Sequence, residues 1–396
     1  MLGEATKRDG WPRAIGARFS GAALVLAVMV AGCVDQVDEA PLVSADACQL
    51  IDLYDERTGD RIVGAEDLAV DRIGGRLFVS AYDRRAVEKA VGQRSFLLPE
   101  GGLYELPLSR LQEAGGRLVA ATPVISGNDV PGGLRPHGID YDPVTGDLAF
   151  INRAYQKING HWRRSSRLER VNVSSGPRHE RLDMSAQFGV ADGWSPQLSD
   201  GEPHCAANDV VEIGGEALVS FDHGACGWRA AVEDAFGFAH AGIAAERGGA
   251  IFSGARFANG VAQSVTGEIV LAQTRDKSIA FITDAGRGLA ETRRAETPGG
   301  PDNLTIGPDG GIIAAVHPSL PWIGLHRHFG VPRAPSRIVR VDPESLEVTL
   351  LYEDLRGDYF PAATVAVETE NNLILGSVTA PGVLVCDLPR TDGGGN

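Results

Sequence analysis

Six times along the chain, a polar residue or glycine is followed by alternating apolar positions, a turn and a second β-rich run. The copies begin near Glu66 (EDLAVDRIGGRLFVSA), His137 (HGIDYDPVTGDLAFIN), Asn208 (NDVVEIGGEALVSF), Asn259 (NGVAQSVTGEIVLAQ), Asp302 (DNLTIGPDGGIIAAV) and Ala363 (ATVAVETENNLILGS). Period-two alternation on both sides of a turn predicts a β-hairpin in each copy. The copies start 43–71 residues apart, the spacing of a repeated sheet unit with loops of varying length. No helical periodicity alternates with the strands, and no Rossmann or Walker phosphate loop is present. The pattern predicts an all-β fold, a six-bladed β-propeller over residues 48–388, with a flexible tail at 389–396.

In a propeller the innermost strands line a central channel, so the six starts should converge. They read Glu66-Asp67, His137-Gly138, Asn208-Asp209, Asn259-Gly260, Asp302-Asn303 and Ala363-Thr364. Five of the six carry a polar group where an ordinary strand would carry Val or Ile. Carboxylates and amides are hard oxygen donors, the set Ca²⁺ takes at flexible geometry. No Cys or His cluster favours zinc or copper. Glu66, Asn208, Asn259, Asp302 and Asn303 are therefore expected to hold one central calcium. Asp67 and Asp209 point to the opposite face if strand side chains alternate. With the Ile139 carbonyl they are expected to hold a second, deeper calcium. Asx residues also make turns, which alone would explain some of these positions.

The formal net charge of −15 argues against nucleic acid as a partner. Fifty glycines in 396 residues fit a chain of many turns and little helix. The N-terminus is a separate object. Lys7, Arg8, Arg13 and Arg18 precede an apolar run from Gly21 to Gly32 that ends in Val30-Ala31-Gly32-Cys33. A basic stretch and a short apolar run make an export signal, and small residues before a Cys resemble a bacterial lipobox. Residues 1–32 are expected to be removed and Cys33 to carry the lipid. Residues 33–47 would then form a tether, anchoring the domain in the bacterial envelope at the outer membrane. Export suits disulfides. Cys48 and Cys386 would clasp the two ends of the domain and Cys205 would pair with Cys226, the alternative being free thiols.

The strings Ala65-Glu66-Asp67-Leu68, Pro136-His137-Gly138-Ile139, Asn208-Asp209-Val210-Val211, Phe257-Ala258-Asn259-Gly260, Asp302-Asn303-Leu304 and Val316-His317-Pro318 occur in one order across residues 48–388. In them the chain resembles the paraoxonase/arylesterase family, within the wider gluconolactonase-like propellers. The near-terminal Cys pair matches as well. The resemblance implies a calcium-dependent hydrolase of lactones and aryl esters. It places the catalytic calcium on Glu66, Asn208, Asn259, Asp302 and Asn303, and a structural calcium on Asp67, Asp209 and the Ile139 carbonyl. It makes His137 the general base and His317 a second pocket histidine, and puts Asp222-His223 at a family Asp-His position. One departure stands out: where the family has a second histidine backing His137, this chain has Arg153, which cannot accept a proton.

The mechanism expected from these residues has Ca²⁺ polarising the substrate carbonyl. His137 takes the water proton, with Glu66 or Asp302 as alternative bases, and His317 and Trp322 shape the leaving-group side. His326 and His328 read as rim residues, and the tracts Gly189–Pro203 and Phe236–Gly249 as rim insertions. Two other readings compete: a sugar-lactone hydrolase, and an envelope propeller that binds a ligand or protein without catalysis.

Overall fold

The computed structural model describes residues 34–389 apart from 113–117, 126–129, 131, 175–187, 190–204, 247–248 and 287. The export signal and Cys33 lie outside the described residues, as does the tail from residue 390 and most of the Gly189–Pro203 tract. Among the described residues no helix is long and apolar enough to cross a membrane.

The body is all-β, built of small sheets, and consistent with a β-propeller. Four sheets have four strands each, and each begins at one of the repeated phrases. Their first strands are Pro136–Asp142, Ala207–Ile213, Ala258–Gln263 and Gly300–Ile306. The fifth sheet has eight strands and joins the two ends of the chain. Strands Ala65–Asp71, Arg76–Ala81, Gly102–Pro107 and Leu118–Pro123 form one half. Strands Ala363–Glu368, Asn372–Ser377 and Val383–Asp387 belong to the other. Cys48–Asp55 stitches the halves together. Its Cys48–Ile51 portion pairs antiparallel with the last strand, and Asp52–Asp55 runs parallel to Leu118–Ala121. Cys48 and Cys386 face each other in that register and are disulfide-bonded. Cys205 and Cys226 form the second bond.

The hydrophobic core is divided into clusters that sit between neighbouring sheets. One joins Leu68, Leu77 and Val79 to Val365, Ile374 and Val385 across the chain ends. Another joins Phe78 and Leu103 to Ile139 and Phe150. A sheet packed on both faces needs apolar residues on both. The strands Ile312–His317, Ala363–Glu368 and Asn372–Ser377 are accordingly buried at every position, where simple alternation predicts one wet face.

Three sequence expectations change in the structure. Part of the 33–47 tether lies against the body: Leu42 and Val43 donate to the carbonyls of Leu350 and Leu351, and Val43 is buried. The Phe236–Gly249 tract is not all insertion, because Ala241–Ala245 is the third strand of its sheet. The insertion is instead the segment before it, which carries the helix Trp228–Phe236. His326 belongs to the helix Leu320–Phe329 and is buried, bonded to the Pro332 carbonyl and Thr379 Oγ1 at 3.0 Å each.

Candidate active site

Each repeated phrase starts an innermost strand, and each of these strands breaks register with its neighbour at that start. The breaks fall between Ala65 and Asp67, Pro136 and Ile139, Ala207 and Val210, Ala258 and Val261, Pro301 and Leu304, and Ala363 and Val365. A bulge leaves residues out of the ladder and re-aims their side chains. Alternation therefore breaks locally: Glu66 and Asp67 are adjacent and both buried, as are Asn208 and Asp209. Glycines let the strands approach. A Cβ on Gly138 would lie 2.4 Å from the Asp209 Cα, and one on Gly260 would lie 2.6 Å from the Asp302 carbonyl oxygen.

At this end the structure brings together Glu66, Asn208, Asn259 and Asp302, which line one cavity of about 460 Å³ with His137 and His317. Asn303 lies beneath, donating from Nδ2 to the Glu66 carbonyl at 3.0 Å. Asn259 Nδ2 donates to Asp302 Oδ1, and to Thr274 Oγ1 at 3.3 Å. With the nitrogens of Asn259 and Asn303 engaged in this way, the amide oxygens are left over. The Oδ1 atoms of Asn208, Asn259 and Asn303 are all buried without a hydrogen-bond partner. Each such orphan costs about 1–3 kcal/mol. Three orphan amide oxygens and two carboxylates form a donor set that fits a hard dication. Among the described residues no three His, Cys, Asp or Glu side chains could hold a metal by themselves; the amides complete this set.

Asp67 and Asp209 lie deeper. Asp67 accepts from Leu68 N–H at 2.9 Å and Ile139 N–H at 2.7 Å. Asp209 accepts from Val210 N–H at 2.8 Å and Val261 N–H at 2.9 Å. Each carboxylate thus ties its own strand to the next sheet. Burial pushes both carboxyl groups well above the usual range, and the Asp209 charge adds to this at Asp67. Two buried carboxylates that resist ionising also fit a cation between them.

Beside Glu66 sits a basic cluster. His137 Nδ1 meets Glu66 Oε2. Arg84 Nη2 lies 3.2 Å from His137 Nδ1 and 3.4 Å from its Nε2, and Arg84 Nε donates to Tyr82 Oη at 3.1 Å. Arg153 Nη1 donates to the same Tyr82 oxygen at 3.5 Å. Burial, the Arg153 guanidinium and then Arg84 outweigh the attraction of Glu66 and press His137 down to about 3. Burial would raise Glu66, but His137 and the two guanidiniums carry it down to about 2. At neutral pH the pair is thus a carboxylate beside a neutral imidazole. The other histidine is paired differently. His317 Nε2 meets Asp302 Oδ2 at 2.7 Å, and its Nδ1 is buried without a partner.

Asp222-His223 also lines the cavity. His223 is held between Asp222 Oδ1 at 2.7 Å and Asp234 Oδ1 at 3.1 Å. Despite burial, these two carboxylates raise the imidazole to about 10, which favours its cationic form at neutral pH. The helices Arg84–Gly92 and Leu320–Phe329 are clasped by Arg85, which donates to the carbonyls of His326 at 2.6 Å and Arg327 at 3.1 Å. Trp322 does not line the cavity; Leu320, Ile323, Gly324 and Arg327 of its helix do. Sequence reasoning missed Tyr82, Arg84, Arg164, Asp234, Arg275 and Arg327. They lie beyond the repeated phrases, where no copy offers an alignment.

No family model matches the chain, and no curated protein matches it. Among solved structures it is similar to a putative gluconolactonase, at 13% identity and a TM-score of 0.47 over 83% of this chain and 91% of that one. It is similar to a luciferin-regenerating enzyme at 13% identity and 0.46, over 82% and 91%. A protein of unknown function from Bacteroides caccae matches at 12% identity and 0.41, over 77% and 89%.

Proposed function

We propose that the chain is a calcium-dependent hydrolase of lactones or aryl esters, carried on a six-bladed propeller. The blade count is supported by the eight-stranded sheet, which falls into two four-stranded halves when Cys48–Asp55 is assigned to the last strand's side. The observation that carries the reading is the convergence of the orphan Oδ1 atoms of Asn208, Asn259 and Asn303 with Glu66 and Asp302. These five residues would hold a catalytic calcium, and Asp67, Asp209 and the Ile139 carbonyl a structural one. The catalytic ion supplies Lewis-acid polarisation of the substrate carbonyl when bound.

The chain's own residues divide the remaining work. Asp302 orients His317 by accepting from Nε2–H at 2.7 Å, which leaves Nδ1 as the basic nitrogen. His317 Nδ1 takes the proton from the attacking water and returns it to the leaving oxygen. His137 is the weaker candidate, because burial and two guanidiniums oppose its protonation and Arg84 lies 3.4 Å from its Nε2. It serves instead to position Glu66. The two clasped helices wall the cavity on one side and keep bulk water from the reacting carbonyl. The export signal and Cys33 make this a lipid-anchored envelope enzyme in the same reading.

Hydrolysis of a six-membered alkyl lactone, followed by acid release with Ca²⁺ and then EGTA, is the test. Activity should vanish on chelation and return with Ca²⁺, but not in Asn259→Ala. His317→Gln should lose about 10²-fold or more in kcat, and His137→Gln less. A folded, calcium-loaded protein without activity on lactones or aryl esters would shift the reading to a binding propeller.

A further inference from the structure

The cavity is lined by five carboxylates, and each has a basic or amide partner. Glu66 faces His137, Asp302 faces His317 and Asn259, and Asp222 faces His223. Asp234 meets Arg275 Nη2 at 2.8 Å, and Glu88 meets His328 at 3.1 Å. The balance is different on the arginine side. Arg153 is 6% exposed, its only side-chain hydrogen bond among the described residues is the 3.5 Å one to Tyr82, and its Nε is buried with no partner. Arg164 makes no side-chain hydrogen bond or ion pair among the described residues.

These two arginines are placed together by the hairpin Asp147–Ile158 and His161–Asn172. Arg153 pairs with Ser166 and Tyr155 with Arg164. Arg164 is therefore a diagonal neighbour of Arg153 on the same face of the ladder. Both line the cavity, and Arg84 lines it beside them. Burial and the charges of Arg84 and Arg164 lower Arg153 to about 10. Arg84 has Glu66 Oε1 at 3.9 Å, and the charge of Asp222 is felt by Arg153 and Arg164. Neither Arg153 nor Arg164 has a carboxylate within ion-pair distance among the described residues, so this pair of guanidiniums is left without a bonded anion.

We propose that Arg153 and Arg164, with Arg84 behind them, are the docking site for a carboxylate on the substrate, so that the enzyme acts on lactones or esters carrying a negative charge. A guanidinium fork matches a carboxylate in plane and charge. The cavity is of a size to hold such a small ligand. The substrate class rests on the hydrolase reading; the anion site does not.

The test uses the full chain and two matched pairs of small molecules. In the first arm, γ-carboxy-γ-butyrolactone is compared with its neutral carboxamide as a substrate for wild type, Arg164→Gln and Arg164→Lys. Wild type should favour the carboxylate by about 10-fold or more in kcat/KM. Arg164→Gln should lose that preference mainly through KM, and Arg164→Lys should recover part of it. In the second arm, binding of glutarate and glutaramide is measured by calorimetry, with Ca²⁺ and with EGTA. Glutarate should bind wild type in both conditions and Arg164→Gln about 10-fold more weakly. Melting temperatures confirm that the variants are folded.

Hydrolysis with no preference for the charged lactone would overturn the anion site and leave the hydrolase reading standing. Glutarate binding that depends on Arg164, without hydrolysis of either lactone, would keep the anion site and sink the hydrolase. Glutarate binding that disappears with EGTA, or is unchanged in Arg164→Gln, would also overturn the proposal.

Discussion

Gly138 is the position where one methyl group reports most directly on the close approach of the inner strands. Its backbone is in a region any residue adopts, so Gly138→Ala introduces no dihedral strain. The new Cβ would lie 2.3 Å from Asp209 Oδ1, 2.4 Å from the Asp209 Cα and 2.7 Å from the Asn208 carbonyl oxygen. Carbon contacts are comfortable at about 3.5–4.0 Å. Two of these three neighbours are backbone, so the strands must part by about 1 Å. Overpacking of this kind costs about 1–3 kcal/mol. At about 2–4 °C per kcal/mol for a domain of 150–250 residues, and toward the low end for this longer chain, the melting temperature should fall by about 2–6 °C. Asn208 and Asp209 would move with the strand, so affinity at the proposed calcium site, measured by calorimetry, should fall as well. Gly92→Ala is the control, since nothing lies within 4 Å of its Cβ. Its melting temperature should stay within about 1 °C of wild type. A Gly138→Ala protein that melts with wild type would refute the close packing on which the site geometry depends.

Two further predictions follow from burial and from the closure of the chain. Burial lifts the Glu169 carboxyl to about 7, against the hydrogen bond from Asn152 and the Arg167 charge. Between about pH 4.5 and 7 the unfolded chain has released this proton and the folded one still holds it, so the stabilising contribution is full below that range and is lost as pH rises through it. Glu169→Gln should therefore be more stable than wild type at pH 8, by on the order of 2–3 kcal/mol, and equal to it at pH 4; chemical denaturation at both values checks this, and a difference that does not change with pH would sink it. Replacing Cys48 and Cys386 together by Ala should cost about 2–5 kcal/mol, read as a lower melting temperature. If the double variant melts with wild type, strand pairing alone is enough to join the ends.

The parts of the site that were legible in the sequence are those that recur. Glu66, His137, Asn208, Asn259 and Asp302 open copies of one phrase, so alignment of the copies predicts that they meet, and all five line the same cavity. The Cys48–Cys386 bond was legible from the position of the two cysteines at the domain ends, whereas Cys205–Cys226 was open between a bond and free thiols until the structure paired them. Hairpin periodicity predicted the strands but not their double-sided burial, because period two describes one sheet and not a sheet between two others. The bulges were hidden for the same reason: alternation carries no mark of the residue at which it breaks. Arg84 and Arg164 were illegible because each sits in a segment found in no other copy. Only the fold brings the helix after Arg76–Ala81 and the long hairpin over the same strand ends. Part of the presumed tether read as polar because its few apolar residues, Val43 among them, look incidental until Leu350 and Leu351 are seen beside them.

The strand Cys48–Asp55 has a consequence for the order in which the molecule is made. It is the first of the described strands, yet one of its partners is the last of them, 338 residues later at the disulfide. The cavity draws on residues from Glu66 to Val378, so no shorter translation product contains a complete one. During synthesis the first strand has to wait, half-paired, until the C-terminal strand arrives. A chain that stops even a few residues before Cys386 lacks the same strand edge as one that stops much earlier. Loss of the last strand is therefore not a graded defect: quality control in the cell would meet either the closed protein or an open chain with an unpaired edge.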